Sequence, residues 1–280
     1  MTALGEIGLT HDQFLALLPD SDRLGSGNRY QRDYALTRIV VKNCAAVGEH
    51  ANEGHHTDLV VKGGFAIRHL YAGVRYSKDA DLAMSADDLE LEGPPMMRYP
   101  SDMTAGIPII GQSGESWFIP VSYRRTDRAV DMTRIDLNDR SRALKSPPPQ
   151  RRNLTSLFMD PIRVWAASTE EIVGEKLCAL MDQPTTRVKD LFDIRHVLGM
   201  PREPIDPAET RRIYQAFRQR KGPHVPRIAD VPRIIRTKIM TAAVQDQWRV
   251  DVLEFVDGAP SLSVAATQMV DLLNDRVLKG

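Results

Sequence analysis

Between Leu59 and Met84 the chain carries an alternation that few folds can use. Leu59-Val60-Val61-Lys62 is short and β-branched, and it runs straight into Gly63-Gly64. That pattern predicts a strand ending in a sharp turn. Phe65 to Tyr71 suits a short helix starting at the glycines, and Ala80 to Met84 a second strand. Two glycines after a strand let the backbone turn tightly and bring its N–H groups near an anion such as a phosphate.

Asp79 and Asp81 open the second strand. Residues i and i+2 of a strand project from one face, so the two carboxylates stand side by side and repel unless a cation lies between them. Magnesium, with manganese as the alternative, is the expected ion, because it prefers hard oxygen ligands and bridges substrate phosphates. A third carboxylate on a neighbouring strand would complete a two-metal site, and Asp136 in Arg134-Ile135-Asp136-Leu137-Asn138 is the candidate. Taken singly, an Asp-x-Asp pair or a Gly-Gly turn is unspecific. Their order along the chain gives them weight.

The rest of the sequence sorts into two halves. Helices are expected over residues 10–18 and 29–49, and further strands over 116–124 and 133–137. The proline run Pro147-Pro148-Pro149 within residues 146–153 is the best linker candidate, since three prolines cannot continue a helix or a central strand. Beyond it the pattern is mostly helical, with helices expected over 169–181, 189–198, 208–220 and 263–278. The reading is an α/β (α+β) fold. Residues 1–150 form a core with a small mixed sheet and N-terminal helices, and residues 151–280 form a helical domain completing the active-site cleft. Residues 92–112, rich in Pro, Gly and Met, have no clear assignment.

Composition narrows the function classes. The 37 Lys and Arg balance the 37 Asp and Glu, so a globally basic nucleic-acid binder is not supported, although a local basic face is compatible. Two widely spaced cysteines, Cys44 and Cys178, cannot build a disulfide scaffold or a Cys-based zinc site. The adjacent His55 and His56 show no metal-binding spacing. The N-terminus has no basic region leading into an apolar one, and no apolar run reaches membrane-span length. A cytoplasmic protein with no membrane partner is expected. One segment is locally basic: Arg211, Arg212, Arg218, Arg220 and Lys221, continuing through Arg227, Arg233, Arg236 and Lys238, with Tyr214 and Phe217 between. It reads either as a solvated helix face or as a track for an RNA backbone.

Residues 61–71, Val-Lys-Gly-Gly-Phe-Ala-Ile-Arg-His-Leu-Tyr, followed by Arg75-Tyr-Ser-Lys-Asp-Ala-Asp81, resemble the nucleotidyltransferase toxins of the AbiEii type, the group to which the mycobacterial MenT toxins belong. Glu175-Lys-Leu-Cys-Ala179 and Arg187-Val-Lys-Asp-Leu-Phe-Asp193 are similar to two later motifs of that family. The resemblance spans roughly residues 59–198. Phe65 stands where relatives often carry Thr or Ser, which bears on a hydroxyl contact to phosphate and leaves the backbone contacts.

The resemblance implies a polymerase-beta-like nucleotidyltransferase core. It implies that Lys62, Gly63, Gly64, Ser77 and Lys78 bind the nucleotide, that Lys176 binds its triphosphate, and that Asp79, Asp81 and Asp136 hold metal. Asp193 would act on the acceptor hydroxyl as a base or a positioning group, while Asp190 would brace Arg187 or cap its helix. It further implies a toxin that transfers NMP from an NTP to an acceptor, most often the 3′ end of tRNA, releasing pyrophosphate and blocking translation, with a cognate antitoxin as partner. Two alternatives remain open from sequence: transfer of NMP to a protein such as the antitoxin, and a non-catalytic nucleotide- or RNA-binding module.

Overall fold

The computed structural model describes residues 9–19, 27–50, 59–84, 97–111, 116–139, 147–254 and 256–279. His55 and His56 lie outside them. The described chain forms α1 (His11–Leu17), α2 (Gly27–His50), β1 (Val60–Lys62), α3 (Gly63–Leu70), β2 (Asp79–Met84), β3 (Met103–Ala105), β4 (Ile109–Ile110), β5 (Ser116–Arg124), β6 (Val130–Asp139), β7 (Gln150–Ser156) and β8 (Met159–Ala166). The helices α4 (Thr169–Asp182), α5 (Val188–Leu198), α6 (Pro207–Lys221), α7 (Val231–Lys238), α8 (Ala242–Trp248) and α9 (Leu262–Leu273) follow. The α/β reading with a mixed sheet holds. Backbone contacts divide the chain into two units. One comprises Met1–Leu70, Tyr76–Lys145 and Pro149–Ala166, and the other Tyr71–Arg75, Ser146–Pro148 and Ala167–Gly280.

In the first unit the described strands make one eight-stranded sheet in the order β3-β5-β6-β2-β1-β8-β7, with β4 also paired to β5. The parallel pairs are β2–β6 and β1–β8; the others are antiparallel. Register sets the faces. Ala166, Val61, Leu82 and Leu137 stand abreast on one face, fully buried. Ile119, Val121 and Ile135 extend that apolar face, and each such side chain taken from water stabilises the fold by roughly 1.5–3 kcal/mol. Helix α3 is tied down through His69, whose ring nitrogens sit 2.9 Å from Asp33 Oδ1 and 2.8 Å from the Thr155 carbonyl. Thr10 opens α1 with a capping box shared with Gln13, and Phe14 of that helix stacks on Phe158 at 5.2 Å between ring centroids.

The second unit is helical. Ser168 caps α4 by accepting from the Glu171 N–H. Asp206 caps α6, with Pro207 as its first helical residue. Helix α4 meets α6 at Gly174, where an added Cβ would lie 2.8 Å from Ile213 Cγ2.

The sequence reading misplaced one region. Residues 150–153, expected as linker, and residues 154–166, given no element, form the hairpin β7–β8, paired from Gln150↔Ala166 to Ser156↔Met159. The boundary expected at residue 150 therefore falls at the mouth of a hairpin, and the helical unit begins at Ala167. Gln150-Arg151-Arg152-Asn153 has little apolar alternation because β7 is an edge strand, and an edge tolerates both polar side chains and the preceding Pro149. Residues 103–105 and 109–110, unassigned from sequence, are the short strands pairing with β5.

Candidate active site

Asp79, Asp81 and Asp136 lie on the sheet face opposite the apolar core. Asp79 and Asp81 share that face of β2. The parallel register sets Asp81 beside Asp136 and Asp79 beside Arg134. On the other side of Asp81 stands Lys62, its antiparallel partner on β1, which is buried. Phe118 of β5 stands beside Asp136. One row across four strands thus reads Lys62, Asp81, Asp136, Phe118.

Arg134 holds the cluster together. Its Nη2 donates to Asp79 Oδ2 at 3.0 Å and to Asp136 Oδ2 at 2.8 Å, and its Nε lies 2.5 Å from Asp136 Oδ1. Its guanidinium is 5.1 Å from the Phe118 ring centroid. Burial, then the negative charges of Asp81 and Asp79, push the Asp136 carboxyl up to about 7 despite Arg134. Three carboxylates around one guanidinium remain an electronegative group.

Gly63 explains why β1 must end in glycine. Its φ is +66°, where other residues are strained, and an added Cβ would lie 1.8 Å from Asp81 Oδ2. Any side chain there would displace the carboxylate. Ser77 is buried and its Oγ donates to Asp79 Oδ1 at 3.2 Å, while the Lys78 carbonyl accepts from Thr133 Oγ1 at 3.1 Å. Phe65 is wholly buried and its ring packs on His69 at 4.3 Å between centroids. This position serves the core, which accounts for the absence of a hydroxyl.

The donor set suits a magnesium ion, being all carboxylate oxygen and crowded with like charge. Among the described residues no group of three His, Cys, Asp or Glu side chains makes a ready metal cage. That is compatible with magnesium, which usually keeps water and substrate phosphate in its shell and takes only one or two carboxylates.

The second unit contains a different cluster. Lys176 on α4 is buried and its Nζ lies 2.6 Å from Asp190 Oδ1 and 2.9 Å from Asp193 Oδ2. Arg75 holds Asp193 bidentately, with Nε to Oδ1 at 2.8 Å and Nη2 to Oδ2 at 2.6 Å. Arg187 Nε is 2.8 Å from Asp190 Oδ2. Burial alone would raise the Asp193 carboxyl, but the adjoining Arg75 and Lys176 charges overcome it and hold the group well below the usual carboxylate range. Burial likewise opposes the Lys176 charge, and Asp190 and Asp193 outweigh it, raising the ammonium above the usual lysine value. Asp193 is therefore a poor proton acceptor. Arg134 and Arg75 escaped the sequence reading. Arg134 could have been found from its spacing of two from Asp136, whereas Arg75 pairs across 118 residues and leaves no local signal.

Within the basic segment, the cations of α6 have partners in their own unit. Arg211 donates to the Val277 carbonyl, Arg212 pairs with Glu209, Arg218 donates to the Val225 carbonyl, and Lys221 pairs with Asp182. Arg220 lies 6.0 Å from the Phe217 ring centroid. Two of these five, Arg212 and Lys221, are ion-paired, and Arg211 and Arg218 are held by carbonyls.

A strand, glycine turn and helix beside paired carboxylates on a mixed sheet define a nucleotidyltransferase-type core. The sequence matches the family described as nucleotidyl transferase AbiEii toxin, type IV toxin–antitoxin system, over residues 49–269, and the chain belongs to that family. Solved structures agree on the fold. MenT4, a nucleotidyltransferase toxin from Mycobacterium tuberculosis, is 19% identical with a TM-score of 0.60, over 95% of this chain and 88% of that one. JHP933 from Helicobacter pylori is 18% identical with a TM-score of 0.56, over 91% and 95%. No curated protein sequence matches significantly. No helix among the described residues is long and apolar enough to cross a membrane.

Proposed function

We propose that this toxin transfers NMP from an NTP to the 3′ end of tRNA, releasing pyrophosphate and blocking translation in the cytoplasm. The observation that carries the transferase chemistry is the row of Asp81 and Asp136 beside Asp79, held on one sheet face against the Gly63 turn. Asp79, Asp81 and Asp136 would hold magnesium, which when bound supplies charge stabilisation for a reacting triphosphate. Gly63 and Gly64 open the backbone at the start of α3, where N–H groups lacking helical partners suit phosphate oxygens. Ser77 keeps Asp79 in place through its hydroxyl. Arg134 holds the carboxylates apart from one another's charge until a cation takes over that task.

In the helical unit Lys176, Arg75 and Arg187 are held against Asp190 and Asp193 in one ion-pair network that fixes their orientation. Asp193 orients Lys176 and Arg75 rather than taking a proton. The type IV toxin assignment supports an antitoxin partner, which is the cognate protein expected from the same system.

The test is an incorporation screen. Purified protein is incubated with each of the four labelled NTPs and magnesium, against bulk tRNA and against total protein. Label on tRNA, lost on chelation, is the expected result. A one-nucleotide mass shift on protein alone would replace tRNA with a protein acceptor, and no incorporation with any NTP would overturn the transferase reading.

A further inference from the structure

The first unit carries a cavity of about 640 Å3 lined by Leu70, Gln150, Arg151, Arg152, Asn153 and Arg163, on the hairpin β7–β8. Three of these six are arginines, and no carboxylate belongs to the described lining. In a chain whose charges balance overall, this is a local concentration of positive charge. The register sets Arg151 beside Trp165 and Asn153 beside Arg163 on one face of the hairpin. The Arg151 guanidinium lies 4.0 Å from the Trp165 ring centroid. Stacking of that kind orders the guanidinium plane and leaves its N–H edge directed outward in-plane, the geometry that meets a phosphate. Arg152 is steadied by Gln150, whose Oε1 accepts from its Nη2 at 2.9 Å.

We infer that this groove is a binding site for the phosphodiester backbone of the acceptor RNA. The inference rests on the nucleic-acid acceptor proposed above. Three features favour a polynucleotide backbone over a free nucleotide. The lining offers no glycine turn and no carboxylates to share a metal-bound triphosphate. One face of Trp165 is covered by Arg151 and so is closed to a base. The arginines are distributed over two strands, which suits successive phosphates better than one compact group. Contacts of this type position RNA without reading its sequence. The groove also does what the basic segment of α6 does not, since four of the five cations there are tied to carbonyls and carboxylates of their own unit.

The experiment measures binding of 5′-fluorescein-labelled bulk tRNA by anisotropy across a salt series, and of a fluorescent ATP analogue in parallel. The full-length chain is compared with Arg163→Glu, with Arg151→Glu/Arg163→Glu, and with Arg233→Glu in the helical unit as the charge control. Arg163→Glu leaves the Trp165 stack in place, so it stays informative if the double variant folds poorly by circular dichroism. The expected result is a loss of roughly tenfold or more in tRNA affinity for the double variant. Its log–log salt slope should fall by about one to two, as for the loss of that many phosphate contacts. Arg163→Glu should give part of each effect, with ATP-analogue binding unchanged. Unchanged tRNA affinity and slope in folded variants, an equal loss in Arg233→Glu, or a loss of nucleotide rather than tRNA binding would each overturn the inference. The acceptor reading fails separately, when the wild-type protein labels protein and no RNA in the incorporation screen.

Discussion

The two charged clusters of this protein use similar residues in opposite ways. On the sheet, Asp79, Asp81 and Asp136 crowd one guanidinium, that of Arg134, and burial together with the excess negative charge pushes the Asp136 carboxyl up to about 7. In the helical unit Asp190 and Asp193 are outnumbered by Lys176, Arg75 and Arg187, and both carboxylates have close cationic partners. The first cluster is electrostatically incomplete and improves when a cation arrives. The second is already complete, so its contribution is to the fold and to the fixed orientation of its own side chains. Burial and charge count together separate a site that awaits a ligand from one that supports the structure around it.

The sharpest way to break this comparison is to remove one acid from each cluster and read both activity and stability. Asp81→Asn removes a repelling charge next to Asp136 and a proposed metal ligand at once. NMP incorporation should fall by about three orders of magnitude or more, because metal-dependent charge stabilisation is lost. The melting temperature without metal should stay level or rise, since like charges have been separated. A large drop in melting temperature would show that the sheet cluster, too, is a structural one.

The helical cluster should behave the other way. Lys176→Met leaves Asp190 and Asp193 buried with one cation fewer. Removing one partner of a buried ion pair costs about 3–5 kcal/mol, and chemical denaturation should report a loss in that range. If stability is unchanged while the KM for NTP rises steeply, Lys176 serves the triphosphate and not the network.

Much of this division was legible in the sequence, and the failures have physical causes. The strand, glycine turn, helix and Asp-x-Asp order is local, so periodicity and turn chemistry placed β1, α3 and β2 within a residue or two. Strand β5 was read at its observed bounds, and from Ile119 to Tyr123 it alternates between buried and half-exposed positions. Asp136 was reachable because its strand pattern is strong. The edge strand β7 was not, since arginines and asparagine replace the apolar alternation that marks an inner strand. The state of Asp193 was hidden for another reason: its surroundings depend on Arg75, distant in sequence, and no local pattern announces a long-range ion pair. The pairing of the basic run on α6 was hidden because the sequence shows charges without their partners.

The smallest expected effect is on the pH dependence of stability, and it follows from the completed cluster. Asp193 has a folded-state pKa below its unfolded value. Its stabilisation is fully present above the ordinary carboxylate range and is lost as pH falls from that range toward the lower folded value. Lys176 has a folded-state pKa above its unfolded value. Its stabilisation is fully present below the ordinary lysine range and fades only as pH rises beyond it. Between these limits the helical network adds no slope. The sheet cluster has the reverse sign, because Asp136 has a raised pKa and its charged form is disfavoured in the fold without metal. Its penalty is absent at low pH, appears as pH rises through the unfolded carboxylate range, and levels off above about 7. Denaturation between pH 4 and 8 without metal should therefore show a shallow decline in stability for the wild-type protein. Asp136→Asn should remove that decline, while Lys176→Met should keep it at a lower absolute stability. A decline that survives in Asp136→Asn would place its source outside the carboxylate row.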